Sequence, residues 1–378
     1  MVVFPPDFDI RIAMLTKRTG RRSEAFSFRN ASPLLIVFFI GFAIPFLVAA
    51  PSEIVIYCAL DQPFAEPVLK SFEEETGIRV KTVYDSEAVK TAGLVNRLIA
   101  ERKRPQCDVF WNNEKLRTLI LAERGVLTKY EPAAWKERNL PHDKKNGFWT
   151  EFAARARVLV RSSRESRLLT KVSFAANSEA MDFMSEIPWL TMPDLKGKVA
   201  IAYPLFGTTS THFLDWLQER RRHGMDAEKW LQEVIANKPI ICQGNSDVVR
   251  RVSAGQASFG FTDSDDVFSA QARGEPVDLF FPESAERGRG TLIIPNTVAI
   301  IHHAPHLKEA ERLVDFLLSE RTELALADGI SKQIPLGRIS NNQRGVQLNA
   351  PTKMRRANEE ELLKTMEADF ELLRKAFH

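Results

Sequence analysis

Residues 34–48 form an apolar run ending in Val48-Ala49-Ala50, and directly after it comes a strand, amphipathic helix, strand pattern. Ile54–Tyr57 reads as a strand, and a helix follows from about Phe64 to Glu75 with apolar side chains at Phe64, Val68, Leu69 and Phe72. Gly77 supplies a helix stop, and Ile78–Val83 reads as the second strand. Two strands joined by a covering helix pair in parallel, so this opening commits the chain to an α/β architecture.

The apolar run is interrupted by Gly41 and Pro45 and preceded by Arg11, Lys17, Arg18, Arg21, Arg22 and Arg29, the charge layout of an export signal. Small residues at its end predict cleavage before Pro51. The run falls short of the roughly 20 residues of a comfortable spanning helix, which makes an uncleaved anchor over residues 33–50 the alternative. The expected location is the periplasm.

The 328 residues after Ala50 can fill more than one core, and 44% hydrophobic with 27% charged residues is an ordinary soluble balance. A formal charge of +3, part of it in the N-terminal extension, gives no reason to expect nucleic acid as a partner. Three scattered cysteines, Cys58, Cys107 and Cys242, neither frame disulfides nor show metal-ligand spacing, so buried thiols are expected.

Short apolar runs alternate with helical segments along the rest of the chain. Strands are expected at Cys107–Trp111, Val158–Val160, Val199–Ala202, Ile240–Cys242, Ser258–Phe261, Leu279–Phe281 and Thr291–Ile301. Helices are expected at Glu114–Arg124, Ser210–Arg222, Ala227–Asn237, Asp247–Ala254, Lys308–Leu318 and Asn358–Ala376.

Several polar clusters fall at the ends of these strands. Thr208, Thr209 and Ser210, within Gly207–His212, lie between a strand and a helix, where hydroxyls and free N–H groups hold an oxyanion; plain helix capping is the alternative. Arg155 and Arg157 stand two residues apart on one side of an extended segment and suit a carboxylate or phosphate, or else pair with internal acids. Asn245 or Ser246 is expected to cap the next helix, with Asn245 also a candidate ligand contact. Asp263, Asp265 and Asp266 crowd three carboxylates into four residues, fitting a cation, an amine or ligand hydroxyls, or a solvated helix start. Asn112 and Asn113 end another strand, and Asp85, Ser86, Glu87 and Lys90 lie near the same rim. His302, His303 and His306 read as a surface connection rather than a metal tract. No nucleophile elbow or phosphate-binding loop occurs, so no enzymatic activity and no cofactor is expected.

The segments VYDSEAVKTAGLVNRLIAERKRPQCDVFWNNEKLRTLILAERGVL, FAARARVLV, LKGKVAIAYPLFGTTSTHF, GNSDVVRRVSAGQASFGFTDSDD and IPNTVAIIHHAPHLKEAERLVDFLLS resemble, in order, the periplasmic ferric-ion-binding proteins, extracellular solute-binding components of ATP-driven importers. The resemblance implies a type II periplasmic binding protein fold, with a ligand cleft between lobes joined by strand crossovers. Lobe 1 is expected over 51–155, lobe 2 over 156–289, a return segment over 290–345 and a C-terminal helix over 346–378. It implies a monomer that hands a small ligand to an ABC permease and its ATPase. In the iron-binding members a His follows the first strand, an acidic residue follows the DVF strand, and a Tyr pair follows the late strand; here those places read Asp61, Asn113 and Ser264-Asp265. Ferric iron favours anionic oxygen donors such as phenolate, so this departure leaves two cargoes open: a small polar anion bearing amines or hydroxyls, or a metal bound with an anion through Asp61, Asp263, Asp265 and Asp266. An exported enzyme on the same scaffold and a membrane-tethered sensor remain the other classes.

Overall fold

The computed structural model describes residues 52–85, 92–164, 187–282, 290–340 and 349–377. The export segment, the rim residues Ser86, Glu87 and Lys90, and the 345/346 boundary lie outside the described residues. Among the described residues, no helix is long and apolar enough to cross a membrane.

The opening unit consists of β1 (Glu53–Cys58), α1 (Gln62–Thr76) and β2 (Arg79–Tyr84), with β1 and β2 parallel. Helix α1 buries Phe64, Ala65, Val68, Leu69 and Phe72, and ends where Gly77 takes a φ of 69° and donates its N–H to Glu73 O at 2.8 Å. Then come α2 (Ala92–Glu101), β3 (Val109–Asn112), α3 (Leu116–Glu123), the short β4 (Leu127–Thr128) and α4 (Ala134–Glu137). A 13-residue strand, β5 (Thr150–Ser162), leads into β6 (Val199–Ala202), α5 (Gly207–Arg222), α6 (Ala227–Ala236), β7 (Ile240–Cys242), α7 (Asn245–Ser253), β8 (Phe259–Asp263), α8 (Ser264–Ala272) and β9 (Val277–Phe280). The chain returns through β10 (Thr291–Ile301), α9 (Leu307–Leu317) and α10 (Glu320–Asp328), and finishes with β11 (Met354–Arg355) and α11 (Glu359–Phe377).

The main strand order is β2-β1-β3-β10-β5-β8-β6-β7. Strands β1, β2 and β3 are parallel, as are β6, β7 and β8, while β5 and β10 run antiparallel to each other between the two sets. Each set is apolar on both faces. Val109 and Trp111 enter one core and Phe110 the opposite one; Leu159 packs on one side of β5 and Val158 and Val160 on the other. Helices cover both faces, giving the two lobes expected from the sequence, with β5 and β10 as shared crossover strands; residues 155 and 156 both sit inside β5.

At the crossover the ladder slips. Pro295 pairs with Ala154 and Asn296 with Phe152, which leaves Ala153 bulged with a φ of 37°. Its N–H donates to Glu323 Oε1 at 2.6 Å, and its carbonyl accepts from Asn296 Nδ2 at 2.7 Å, so side chains replace the lost ladder bonds. Buried Glu323 also accepts from Leu336 N and Gly337 N and pairs with Arg138 at 2.6 Å.

Several local expectations change. Helix α5 begins at Gly207 rather than Ser210, so Thr208, Thr209 and Ser210 form its first turn instead of a preceding loop. Gly207 makes the early start possible, because its φ of 55° is one that a side chain would strain. The cap of α7 is Gly244, and neither Asn245 nor Ser246 caps it. The strand read at Val158–Val160 is the middle of β5, and neither α2 nor α10 is anticipated by the sequence pattern. All three cysteines are buried and free, and burial pushes the Cys242 thiol up to about 12.

Candidate functional site

Three helices of the second lobe begin just beyond the carboxyl ends of three parallel strands: α5 after β6, α7 after β7 and α8 after β8. Crevices outside such strand ends are where open α/β sheets bind ligands. The N-cap positions are Phe206, Gly244 and Asp263, and none provides a side-chain cap.

The first-turn side chains converge on Arg157, which β5 brings in opposite Asp263 in the ladder. Arg157 donates to Asp263 Oδ1 at 2.7 Å, to Asn245 Oδ1 and Thr208 Oγ1 at 3.2 Å each, and to His212 Nδ1 at 3.1 Å. The other carboxylate oxygen of Asp263 accepts from Thr208 Oγ1 at 2.6 Å and from Asn245 Nδ2 at 2.8 Å. Thr209 donates to Asn245 Oδ1 at 3.1 Å. Every member of this group is buried.

A second group surrounds Arg155. Its Nε donates to Asp265 Oδ2 at 2.9 Å, its NH2 to Asn296 Oδ1 at 2.6 Å, and its NH1 to the carbonyl of Asn113. Gln333 Nε2 donates to the same Asp265 oxygen at 3.1 Å, and Gln333 Oε1 accepts from Asn296. The carboxylates of Asp263, Asp265 and Asp266 approach within 4.8 Å of one another, so the two groups form one cluster. Burial raises Asp265 above the usual carboxylate range, and although Arg155 lowers it, Asp263 and Asp61 raise it further. Arg155 is held above its ordinary value because Asp265 and Asp263 outweigh its own burial. The two shifts have different leading causes, burial for Asp265 and neighbouring acids for Arg155.

The residues singled out by sequence are therefore sorted as follows. Arg157, Thr208, Thr209, Asn245 and Asp263 meet in one hydrogen-bonded group, and Arg155, Asp265 and the Asn113 carbonyl in the other. Asp61, half-exposed before α1, is close enough to act on the charge of Arg155 and Asp265. Ser210 faces elsewhere: its hydroxyl donates to Gly207 O and accepts from Arg117 NH1 at 3.0 Å. Asn112 donates to Thr118 Oγ1 at 2.9 Å, and its buried Oδ1 has no hydrogen-bond partner among the described residues. Asp85 accepts from Leu94 N in α2. The three histidines stay outside the cluster; His302 and His303 are exposed in a turn, and His306 bonds Asp108.

Sequence reasoning missed His212, Asn296, Gln333 and Glu114. Asn296 had a visible signal, a Pro-Asn step inside the apolar run Thr291–Ile301. Glu114, fully buried, accepts from Arg117 at 3.2 Å and from Thr211 Oγ1 at 3.4 Å, and burial raises its carboxyl despite the Arg117 charge.

Two cavities of the described surface lie elsewhere. One, about 510 Å³, runs between α1 and α10 past Phe64, Val68 and Ile330; the other, about 440 Å³, lies between α6 and α11. Neither contains a residue of the buried cluster, whose polar groups are instead satisfied against one another.

Comparison with known proteins supports this architecture. The chain is 24% identical over 290 residues to iron uptake protein A1 of Synechocystis, covering 73% of each chain. Its fold superposes on iron-bound HitA from Pseudomonas aeruginosa with a TM-score of 0.69 at 21% identity, covering 86% of this chain and 99% of that one. It superposes on the periplasmic binding protein AfuA from Actinobacillus pleuropneumoniae, with fructose-6-phosphate bound, with a TM-score of 0.66 at 17% identity, covering 86% and 98%. With residues 68–336 matching the family model, the chain belongs to the bacterial extracellular solute-binding proteins.

Proposed function

We propose that the protein is the substrate-binding component of an ABC-type importer and captures a small anionic ligand that also carries hydroxyl or amine donors. The observation that carries this reading is the meeting of Arg157, Thr208 and Asn245, all donors, with the carboxylates of Asp263, Asp265 and Asp266 at the strand ends of the second lobe. The donors suit a phosphate or carboxylate, and the acids suit hydroxyls or an amine. Binding of a sugar phosphate by AfuA is a precedent on this fold. Asp61 and Asn113, which follow β1 and β3, already reach this cluster, Asn113 through its carbonyl and Asp61 through its charge.

A second reading is a metal taken up together with an anion, favoured by the three clustered carboxylates and by the iron-related names of several relatives. The tyrosines argue against the family's usual chemistry. Tyr57 donates to Glu101 and Tyr130 to Asp315, the Tyr84 hydroxyl is buried beside β2, and Tyr203 packs on Phe206. Titration with ferric citrate, followed by visible absorbance and metal analysis, separates the readings. Weak binding without a tyrosinate charge-transfer band is expected; a coloured, tight, stoichiometric complex would replace the organic-anion reading with iron. Native mass spectrometry of the protein from its own periplasm would then identify the cargo.

A further inference from the structure

Asp263 is in the N-cap position of α8, with the extended backbone (φ −95°, ψ 147°) that a capping residue adopts. An aspartate there ordinarily turns its carboxylate onto its own helix and accepts from the second or third backbone N–H. Asp263 does not. Its two oxygens lie instead against Arg157 from β5, Thr208 from α5 and Asn245 from α7, three donors from three separate elements. The same carboxylate is crowded by Asp265 and Asp266, so its placement adds like-charge repulsion.

We infer that Asp263 is an internal surrogate for the ligand's anionic group: its carboxylate fills the seat formed by Arg157, Thr208 and Asn245, and an incoming phosphate or carboxylate displaces it toward the start of its own helix, where Asp265 Oδ1 now accepts from Asp266 N at 3.2 Å. This rests on the anion-binding reading above and adds a specificity-determining role to it. Asp263 has two places to go, one in the seat and one at the N-terminus of α8, so displacement does not strand a buried charge. A ligand must therefore outcompete a built-in carboxylate. Weakly charged or monodentate anions fail to do so, whereas a dianionic phosphate offers more charge and more acceptor oxygens to the same donors.

The test uses inorganic phosphate as the probe, titrated calorimetrically into the full chain and into Asp263→Ser, Asp263→Asn and Arg157→Ala. Serine retains helix-capping ability and vacates the seat; asparagine keeps the size and removes the charge. Both Asp263 variants should bind phosphate about tenfold tighter than the parent, or bind it where the parent shows nothing. Arg157→Ala should abolish binding, alone and combined with Asp263→Ser. If the Asp263 variants bind phosphate equally or more weakly while Arg157→Ala still abolishes it, Asp263 is a fixed part of the scaffold and the inference fails with the anion site intact. If Arg157→Ala leaves phosphate binding unchanged, or no variant binds phosphate, the anion-site reading fails and takes the inference with it. Unfolding midpoints identify variants that do not fold, and either Asp263 variant alone suffices.

Discussion

Replacing Arg155 by Ala should damage the fold before it damages recognition. The guanidinium and its partner Asp265 are almost wholly excluded from water and 2.9 Å apart. Removing one member of a buried pair costs about 3–5 kcal/mol, because the remaining charge loses its partner without regaining solvent. Asn296 Oδ1 and the Asn113 carbonyl also lose donors, which places the estimate toward the upper end of that range. Part of the loss is recoverable by protonation. Asp265 already holds its proton more tightly than an ordinary carboxyl, and without Arg155 its pKa rises further. The variant should therefore be closest to the parent near pH 5 and fall behind as pH increases, since the folded state then gives up a proton that it holds more tightly than the unfolded chain does. Urea unfolding followed by tryptophan fluorescence at pH 5 and pH 8 measures both quantities, and Arg155→Met combined with Asp265→Asn should recover most of the loss. A single variant within about 1 kcal/mol of the parent at both pH values would refute the reasoning, as such a loss is typical of a solvated pair.

Two more outcomes follow from buried groups outside the cluster. Glu114→Gln removes a carboxyl whose pKa burial raises above its unfolded value; the variant should gain stability relative to the parent as pH rises past about 4.3, and a flat or opposite trend in melting temperature would contradict the assigned shift. Gly260→Ala in β8 would place a Cβ 2.4 Å from Val248 Cγ1 and 3.3 Å from Ala200 O. It should cost about 1–3 kcal/mol in urea unfolding, and a second change, Val248→Ala, should restore part of that; no recovery would mean that the backbone contact dominates.

The lobes were legible in the sequence because their helices and strands carry their signals locally. The apolar spacing of α1 and the continuous apolar run of β3 report on residues a few positions apart, and Gly77 marks a stop whatever surrounds it. The partners of the arginines were not legible. Arg155 and Arg157 meet acids 110 and 106 positions further along, and nothing near either arginine distinguishes a ligand grip from an internal pair. The Gly207–Ser210 turn failed for a different reason: Thr and Ser favour caps, and the positive φ of Gly207 that lets the helix start early is a backbone fact with no side-chain signature. Asn296 and Gln333 were missed because their roles depend on the bulge at Ala153, a register slip between strands far apart in the chain.

That slip has a mechanical consequence. A regular two-stranded ribbon resists bending within its plane, but here one strand presents Pro295, with no amide hydrogen to donate, and the other carries an extra residue stitched down by side chains. The joint between the lobes is thus a weak point with its own fasteners. One of those fasteners, Asn296, also accepts from Arg155, so the Arg155–Asp265 pair is linked directly to the slipped joint between β5 and β10. An occupant that redistributes charge around Asp265 would reach that joint through a single side chain.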